Sequence, residues 1–409
     1  MINQTLENTD AVATEKKIAQ TTVYAILFSI SFAHLLNDML QSVIPSIYPM
    51  IKENYRLSFS QIGWITFTFQ LTASILQPFV GHYTDRNPRP YSFATGMLFT
   101  LTGIILLASA TGFSSLLVAV AFVGTGSSIF HPEASKVAYY ASGGRRGLAQ
   151  SIFQLGGNFG SAIGPLLVAA VVMPAGQRYI LWFLIAAVLG IFVLMRIGNW
   201  YKSHLFLRAK GKFVDEEQRQ ELSKGKIITS ITILLMLIFS KYFYLTSITS
   251  YYTFYLIDKF HISIQQSQLH LFIFLISVAA GTFIGGPLGD RFGRKIIIWV
   301  SILGIAPFTW LLPHVDLFWT SVLSVIIGVI MASAFSAILV YAQELLPGKV
   351  GLISGLFFGF AFGIAGIGSA LLGHLADSAG IDYVFKICAY LPLLGIITGF
   401  LPDIRKKKM

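Results

Sequence analysis

Long apolar stretches separated by short polar loops occupy nearly the whole chain, and they restrict its fold more than any other feature. A helix that crosses the hydrocarbon core of a bilayer needs about 20 apolar residues. A transmembrane β-barrel would instead show short segments of alternating hydrophobicity. We therefore predict an all-α membrane protein with twelve transmembrane helices, at roughly residues 22–50, 60–83, 91–110, 114–140, 147–173, 179–200, 227–256, 266–289, 296–313, 317–343, 350–376 and 383–401.

The composition supports a membrane protein and excludes other classes. Of the 409 residues, 55% are hydrophobic and only 11% are charged, whereas soluble domains carry about 25% charged residues. The net charge of +11 lies between the apolar stretches, so we do not expect a nucleic-acid partner. The single cysteine, Cys388, excludes a disulfide framework and a cysteine-based zinc site.

One long polar stretch, residues 201–226, divides the predicted helices into two sets of six. If the N-terminus is cytoplasmic, most Lys and Arg residues fall on the cytoplasmic side, and only Lys52, Arg56, Arg178 and Lys259 lie in loops on the other side. This bias sets the orientation. We expect a cytoplasmic tail, a six-helix bundle, a cytoplasmic linker, a second six-helix bundle and a basic cytoplasmic tail, at residues 1–21, 22–200, 201–226, 227–401 and 402–409.

The two sets of helices carry matching motifs. The segment from Gly81 to Arg86 follows the second span, the segment from Gly286 to Lys295 follows the eighth, and 205 residues separate Asp85 from Asp290. Parallel repeats of this kind build transporters whose site lies at the repeat interface. We therefore predict a bundle of six helices from each half around a central polar cavity.

The second copy resembles the signature of the major facilitator superfamily, G-x-L-x-D-R-x-G-R-K. The first copy is degraded, because Asn87, Pro88 and Pro90 replace the later glycine and basic positions. The resemblance implies the fold of that superfamily and a gating role for both copies. We expect Asp290 to cap a neighbouring helix and Arg291 to pair with Glu344. The gating residues of the two copies are Asp85, Arg86, Gly286, Asp290, Arg291, Gly293 and Arg294, with Glu344 on the tenth span.

A closer resemblance, from about residue 24 to 403, is to the fosmidomycin-resistance family within that superfamily. Five strings carry it, and they begin at His34, Phe130, Gln150, Phe239 and Tyr341. It implies a multi-pass efflux pump of the bacterial inner membrane that exports a small anionic drug such as fosmidomycin in exchange for protons. The expected partners are that anion, protons and the lipid bilayer. We expect no cofactor, no metal, no enzymatic activity and a monomer.

Ionisable residues inside the spans are the candidates for proton coupling, because such residues are costly in a membrane and are usually functional. His34 and Asp38 are four residues apart and share a helix face. His131-Pro132-Glu133 lies in the fourth span, where the proline bends the helix. A structural His–Asp pair, or an ion pair from Glu133 to Arg145 or Lys136 that locks the cytoplasmic gate, is the alternative interpretation.

Lys241 is the candidate for binding the anionic head of the substrate. It lies deep in the seventh span beside Tyr242, with Tyr244 and Tyr251 following at near-helical spacing. An ammonium with phenolic donors suits a phosphonate or a carboxylate. The alternative is a salt bridge from Lys241 to Asp38 or Glu133.

The fifth span carries a polar pair and a glycine–proline element. Gln154 and Asn158 are expected to face the cavity, and Gly160, Gly164 and Pro165 resemble the antiporter motif of the superfamily. Close helix packing alone also explains the glycines. The glycine–proline element argues modestly against a symporter. A proton-coupled symporter or an exporter of an endogenous phosphonate or carboxylate is the alternative function. A membrane enzyme or receptor is less favoured, because no nucleotide-binding or hydrolase motif is present.

Overall fold

The computed structural model describes residues 22–57, 59–209 and 222–404. Within these ranges the chain is helical and contains no strand. The predicted tail 1–21, residues 210–221 of the predicted linker and the basic residues 405–408 lie outside the described ranges. The all-α fold agrees with the sequence prediction.

The twelve long helical segments follow the order of the predicted spans. The first six, which we call the first half, are α1 Tyr24–Ser46, α2 Phe59–Arg86, α3 Ser92–Ala108, α4 Phe113–Tyr140, α5 Arg146–Ala175 and α6 Gln177–Arg208. The last six, the second half, are α7 Lys224–Phe260, α8 Ile264–Phe292, α9 Arg294–His314, α10 Leu317–Leu345, α11 Val350–Ala379 and α12 Ile381–Phe400.

Ten helices of the described chain are long and apolar enough to cross a membrane, α2 and α3 being the two segments outside that set. α3 is apolar but has only 17 residues. The fold is therefore that of a multi-pass membrane protein. The number of crossings and the cytoplasmic location of the termini stay predictions.

Local sequence explains several helix ends and bends. The side chain of Ser263 accepts a hydrogen bond from the Gln266 amide at the start of α8, as an N-cap does. Pro165 precedes a π-helical turn, Val168–Val172, inside α5. α10 is interrupted at Ser333, where the α-helix stops and restarts one residue later. These breaks lie in apolar helices that also contact the interface between the halves.

Glycines allow the helices around that interface to approach closely. Gly156 and Gly160 of α5 lie against the backbone of α1, and Gly355 and Gly359 of α11 lie against the backbone of α2. A side chain at any of these positions would collide with a carbonyl group. The halves meet where α2 packs on α11 and α5 packs on α8, with α4 also touching α11. The glycines of α5 therefore serve close helix packing, as their spacing also allowed, and those of α11 do the same.

Candidate binding site between the two halves

The first cluster in the interface joins two groups that lie about a hundred residues apart in the chain. His34 Nε2 is 3.2 Å from one carboxylate oxygen of Asp38, and His131 Nε2 is 3.4 Å from the other. Both imidazoles are buried, and Asp38 retains 16% of its exposure. The His34 and His131 motifs therefore form one cluster around a single carboxylate, which we call the His–Asp–His cluster.

The backbone determines which nitrogen of each ring faces Asp38. His34 Nδ1 lies 2.8 Å from the carbonyl oxygen of Phe153, and His131 Nδ1 lies 2.9 Å from that of Ser127. A carbonyl oxygen only accepts hydrogen bonds, so both Nδ1 atoms carry a hydrogen. Each Nε2 is then free to hold or release a proton beside the carboxylate.

The remaining partners of Asp38 are neutral. The side-chain amides of Asn37 and Gln41 donate to the oxygen that faces His131, over 3.0 and 3.1 Å. The donor atoms of His34, Asp38 and His131 lie within 4.8 Å of one another, close enough to surround a metal ion. The His34–Asp38 separation of 3.2 Å lies at the upper end of the hydrogen-bond range, and the His131–Asp38 separation of 3.4 Å lies just beyond it.

Lys241 lies in the second half and has aromatic neighbours. Its side chain is 5% exposed, and its ammonium is 5.4 Å from the ring centre of Tyr242 and 5.3 Å from that of Phe335. No ion pair of Lys241 occurs among the residues that the structure describes, so the predicted alternative of a bridge to Asp38 or Glu133 is absent there. A buried ionisable residue inside a membrane span is a candidate functional site.

Phenylalanine rings connect Lys241 with the His–Asp–His cluster across the interface. Phe335 contacts Phe358 at 5.1 Å between ring centres, and Phe358 contacts His131 at 5.3 Å. Phe153 also contacts Phe358 across the halves. Gln154 directly follows Phe153 on α5. Its side-chain oxygen is buried and has no hydrogen-bond partner. The interface thus combines a cation, an apolar layer and a titratable cluster.

Two matched carboxylates close one end of this interface, the end that the basic loops predict to be cytoplasmic. Asp85 of α2 accepts hydrogen bonds from the amides of Gly351 and Leu352 at the start of α11, over 2.9 and 2.8 Å. Asp290 of α8 accepts from Gly147 and Leu148 at the start of α5, over 3.0 and 2.9 Å. Helix N-termini attract negative charge, so each carboxylate holds one half against the other.

Charged side chains hold these two carboxylates in place. Lys136 of α4 lies 3.0 Å from Asp85 and 2.6 Å from Glu133. In the second half, Arg294 lies 2.7 Å from Asp290 and 3.2 Å from Glu344. The described structure therefore places Glu133 in the gate with Lys136, the alternative that the sequence left open, and away from Asp38.

A neutral network fills the space between the charged groups. The hydroxyl groups of Ser135 on α4 and Ser354 on α11 lie 3.0 Å apart. The amide of Gln343 on α10 donates to Ser354 over 2.9 Å, and that of Gln150 on α5 donates to the carbonyl of Ser135 over 3.0 Å. All four side chains are buried. The two halves are thus sealed at this end in the conformation described.

Comparison with known proteins agrees with this architecture. A family model described as Major Facilitator Superfamily matches residues 30–258 and 233–409. The chain belongs to the major facilitator superfamily. It is 59% identical over 387 residues to the fosmidomycin resistance protein of Escherichia coli K12, and the match covers 94% of this chain and 95% of that protein. An uncharacterized MFS-type transporter of Bacillus subtilis 168, YfnC, is 44% identical over 94% of this chain and 95% of its own length.

A solved structure shows the same fold at low sequence identity. The crystal structure of FucP, a Major Facilitator Superfamily transporter, in the outward conformation superposes with a TM-score of 0.73. It covers 94% of this chain and 100% of that chain at 15% identity. The helical fold of that structure is therefore shared over nearly the whole of this chain.

Several predicted residues occupy positions other than those expected. Arg294, and not Arg291, pairs with Glu344, since Arg291 is exposed and lies over the ring of Phe292. Tyr244 is buried in the core of the second half, and Tyr251 donates to the carbonyl of Ser369. Of the tyrosines expected around Lys241, only Tyr242 contacts it.

Other predicted residues serve contacts between helices. Asn158 donates to Thr282 over 3.1 Å and so links α5 to α8 across the halves. Gly160 and Gly164 pack on α1, and Gly286 lies against the backbone of Gly147. Gly293 has φ +96° and forms the tight turn between α8 and α9, a conformation that favours glycine. Arg86 is exposed at the end of α2.

The Ser–Gln network was not predicted from the sequence. Lys136 was predicted only as one possible ion-pair partner of Glu133. Serine and glutamine are common residues, and nothing in their spacing shows that Ser135 and Ser354 meet. Lys136 carried a usable signal, since it lies one helical turn after Glu133 and on the same face of α4.

Proposed function

We propose that this chain exports a small anionic drug of the fosmidomycin type from the bacterial cell, across the inner membrane, in exchange for protons. The observation that carries the proposal is the pairing of two unlike groups across one interface. Lys241 is a buried cation with no acidic partner among the described residues, and the first half places two imidazoles around the carboxylate of Asp38. Membership of the superfamily and the similarity to the fosmidomycin resistance protein support export.

Lys241 is the proposed anchor for the acidic head of the substrate. A buried ammonium gains a charge-assisted hydrogen bond when an anion arrives. Tyr242 adds a neighbouring aromatic face, and the unpartnered oxygen of Gln154 offers an acceptor from the first half. A ligand that contacts both halves at once can favour one arrangement of the halves over another, which transport requires.

Asp38 is the proposed centre of proton coupling, with His34 and His131 as its partners. The groups that face Asp38 are these two imidazoles and the neutral amides of Asn37 and Gln41. Its partial exposure gives protons a route in. Glu133 faces Lys136 and the hydroxyls of Thr84 and Ser92 instead. We therefore assign Glu133 chiefly to the gate.

Alternating access follows from the two matched carboxylates. In the arrangement described, Asp85 and Asp290 each bridge the halves at the predicted cytoplasmic end. To open that end, both carboxylates must leave the helix N-termini that they cap, and the Ser–Gln network must separate. Proton and substrate binding shift the balance between the closed and open arrangements.

Transport into proteoliposomes tests the proposal. Vesicles with an acidic lumen and an alkaline exterior should accumulate fosmidomycin, because protons leaving the lumen drive the anion inward. Asp38→Asn should abolish accumulation while leaving exchange of labelled for unlabelled drug. Glu133→Gln should slow both processes, because it weakens the gate.

Two outcomes would contradict the proposal. Accumulation under the opposite gradient, alkaline lumen and acidic exterior, would identify a symporter. Equal uptake with and without a gradient, or after a protonophore, would exclude proton coupling. If Asp38→Asn accumulates drug as the wild type does, Asp38 is not the coupling residue.

A further inference from the structure

We infer that the His–Asp–His cluster binds two protons, one on each histidine–carboxylate contact, so that two protons are exchanged for each substrate anion. The inference rests on the proposed function and adds the stoichiometry of the coupling step. It follows from which atoms of His34, Asp38 and His131 face one another, and from what surrounds them.

The two contacts use different oxygens of the Asp38 carboxylate. His34 Nε2 faces Oδ2 of Asp38 at 3.2 Å, and His131 Nε2 faces Oδ1 at 3.4 Å. Each imidazole therefore has a carboxylate oxygen of its own, and neither shares a proton position with the other ring. A site with a single proton would leave one of the two contacts without a hydrogen.

Each contact is attractive only when it carries a proton. Both Nδ1 hydrogens are already donated to backbone carbonyls, of Phe153 and Ser127. A neutral ring therefore turns the lone pair of Nε2 toward a carboxylate oxygen, and two acceptors face each other with no donor between them. The Nε2 atom of His131 is buried and has no hydrogen-bond partner, as expected for a position that waits for a proton.

The surroundings allow both protons to bind. With no proton the cluster carries one negative charge, with one it is neutral, and with two it carries one positive charge. The amides of Asn37 and Gln41 are neutral donors to Oδ1, and the rings around the histidines belong to phenylalanines. Among the described residues, no other cation contacts Asp38, so none opposes the second proton or replaces it.

The geometry also indicates where the protons enter. His34 and His131 are 2% and 0% exposed, while Asp38 is 16% exposed. Protons therefore arrive on the carboxylate and pass to an imidazole. A structural histidine pair would not need an accessible carboxylate between the rings.

The equilibrium substrate gradient measures the stoichiometry. Wild-type proteoliposomes are held at zero membrane potential with potassium and valinomycin, at pH values where fosmidomycin is a dianion on both sides. The logarithm of the drug accumulation ratio at equilibrium is then plotted against the pH difference. For an exchange of n protons the slope is n, and we expect a slope of two.

Variants assign the slope to the cluster. His131→Gln should lower the slope to one and retain transport, because His34 and Asp38 keep one proton position. His34→Gln should do the same. His270→Gln is the matched control, since His270 bonds Ser321 within the second half, and its slope should stay at two.

Each outcome decides the inference. A wild-type slope of one overturns it and leaves the proposed function standing, whereas a slope of zero means that the proposed function itself has failed. A slope of two in His131→Gln places the second proton elsewhere and also overturns it. Loss of transport in EDTA that zinc alone restores would show a metal in the cluster in place of protons.

Discussion

The ionisable side chains in the interface between the halves are largely buried, so the groups that contact each one determine the role that it can have. Lys136 and Lys241 are both almost fully buried lysines. Lys136 contacts two carboxylates, whereas the described neighbours of the Lys241 ammonium are the rings of Tyr242 and Phe335. We therefore propose that Lys136 stabilises the conformation described and that Lys241 binds an anion. Lys136 and Lys241 therefore differ in the side chains that contact them and not in how deeply they are buried.

Removing the charge of Lys241 should weaken drug binding selectively. The loss of one charge-assisted hydrogen bond costs about 1.5–3 kcal/mol, so Lys241→Met should raise the Kd for fosmidomycin roughly ten- to a hundred-fold. Lys241→Arg should recover only part of the affinity, because the planar guanidinium needs a different geometry. Calorimetric titration of the purified protein in detergent measures both values.

Lys386→Met provides the control for the loss of a lysine. Lys386 pairs with Asp382 on the surface of the second half, where both side chains are exposed. The Kd of Lys386→Met for fosmidomycin should therefore match that of the wild type. If Lys241→Met binds the drug with unchanged affinity but loses its dependence on pH, Lys241 belongs to proton coupling and not to the substrate site.

At the scale of helices, the two carboxylates Asp85 and Asp290 and their basic partners form what we call the gate. Each half contributes the same kinds of group, but the basic residue comes from a different helix. In each half a carboxylate at the end of one helix caps a helix of the other half, and a basic residue holds that carboxylate. The second half uses Arg294 from the motif after α8, whereas the first half uses Lys136 from α4. The degraded first copy of the motif is thus compensated from a neighbouring helix.

Breaking the Glu133–Lys136 pair should destabilise the protein strongly. Lys136→Met leaves the buried carboxylate of Glu133 without a cation, and such losses cost about 3–5 kcal/mol. The double variant Lys136→Met/Glu133→Gln should recover part of that loss, because Glu133 then carries no uncompensated charge, although Asp85 still lacks its lysine. Thermal unfolding in detergent, followed by the near-ultraviolet circular dichroism signal, measures both changes.

The exposed Lys386–Asp382 pair provides the control for this stability measurement. Lys386→Met disrupts an ion pair of similar length on the surface, where such a pair contributes about 0–1 kcal/mol, and its unfolding temperature should barely move. A double variant as unstable as Lys136→Met alone would show that packing around Lys136, and not its charge, stabilises the gate.

At the scale of the whole molecule, the polar contacts at the predicted cytoplasmic end hold the two halves together in the arrangement described. The Ser–Gln network and the two matched carboxylates span the interface there. The proposed transport cycle requires this end to open, so a covalent link across it should stop transport. The single native cysteine, Cys388, is buried in the second half, and a Cys388→Ser background makes such links easy to introduce.

A disulfide bond across the Ser–Gln network should block transport reversibly. The hydroxyl oxygens of Ser135 and Ser354 are 3.0 Å apart, so Ser135→Cys/Ser354→Cys should cross-link on oxidation. Drug accumulation should then fall to background and return after reduction. Each single variant should transport with or without oxidant, because it has no partner.

A pair within one half tests whether the cross-link itself is harmful. The hydroxyls of Ser250 and Ser369, both in the second half, are 3.5 Å apart. Ser250→Cys/Ser369→Cys should keep transporting after oxidation, since this link lies within the second half and does not join the two halves. Continued transport by the oxidised Ser135/Ser354 pair, with cross-linking verified by mass spectrometry, would refute opening at this end.

Much of the fold was determined by the sequence alone. The length and apolarity of the stretches require membrane helices, because backbone polar groups in a bilayer must be satisfied internally. The 205-residue spacing of Asp85 and Asp290 follows from a repeated chain. Ionisable residues inside those stretches were identifiable because burying them is costly, and His34, Asp38, His131 and Lys241 were found on that ground.

The partners of those residues were decided only by the tertiary structure. Asp38 meets His131 from another helix, Glu133 meets Lys136 instead of the cluster, and Arg294 replaces Arg291 beside Glu344. A helix repeats its direction every 3.6 residues, so the sequence shows which residues share a face of one helix. Which face meets which neighbour depends on how close the glycines let the helices come and on the angle at which they cross, and both are properties of the packed molecule.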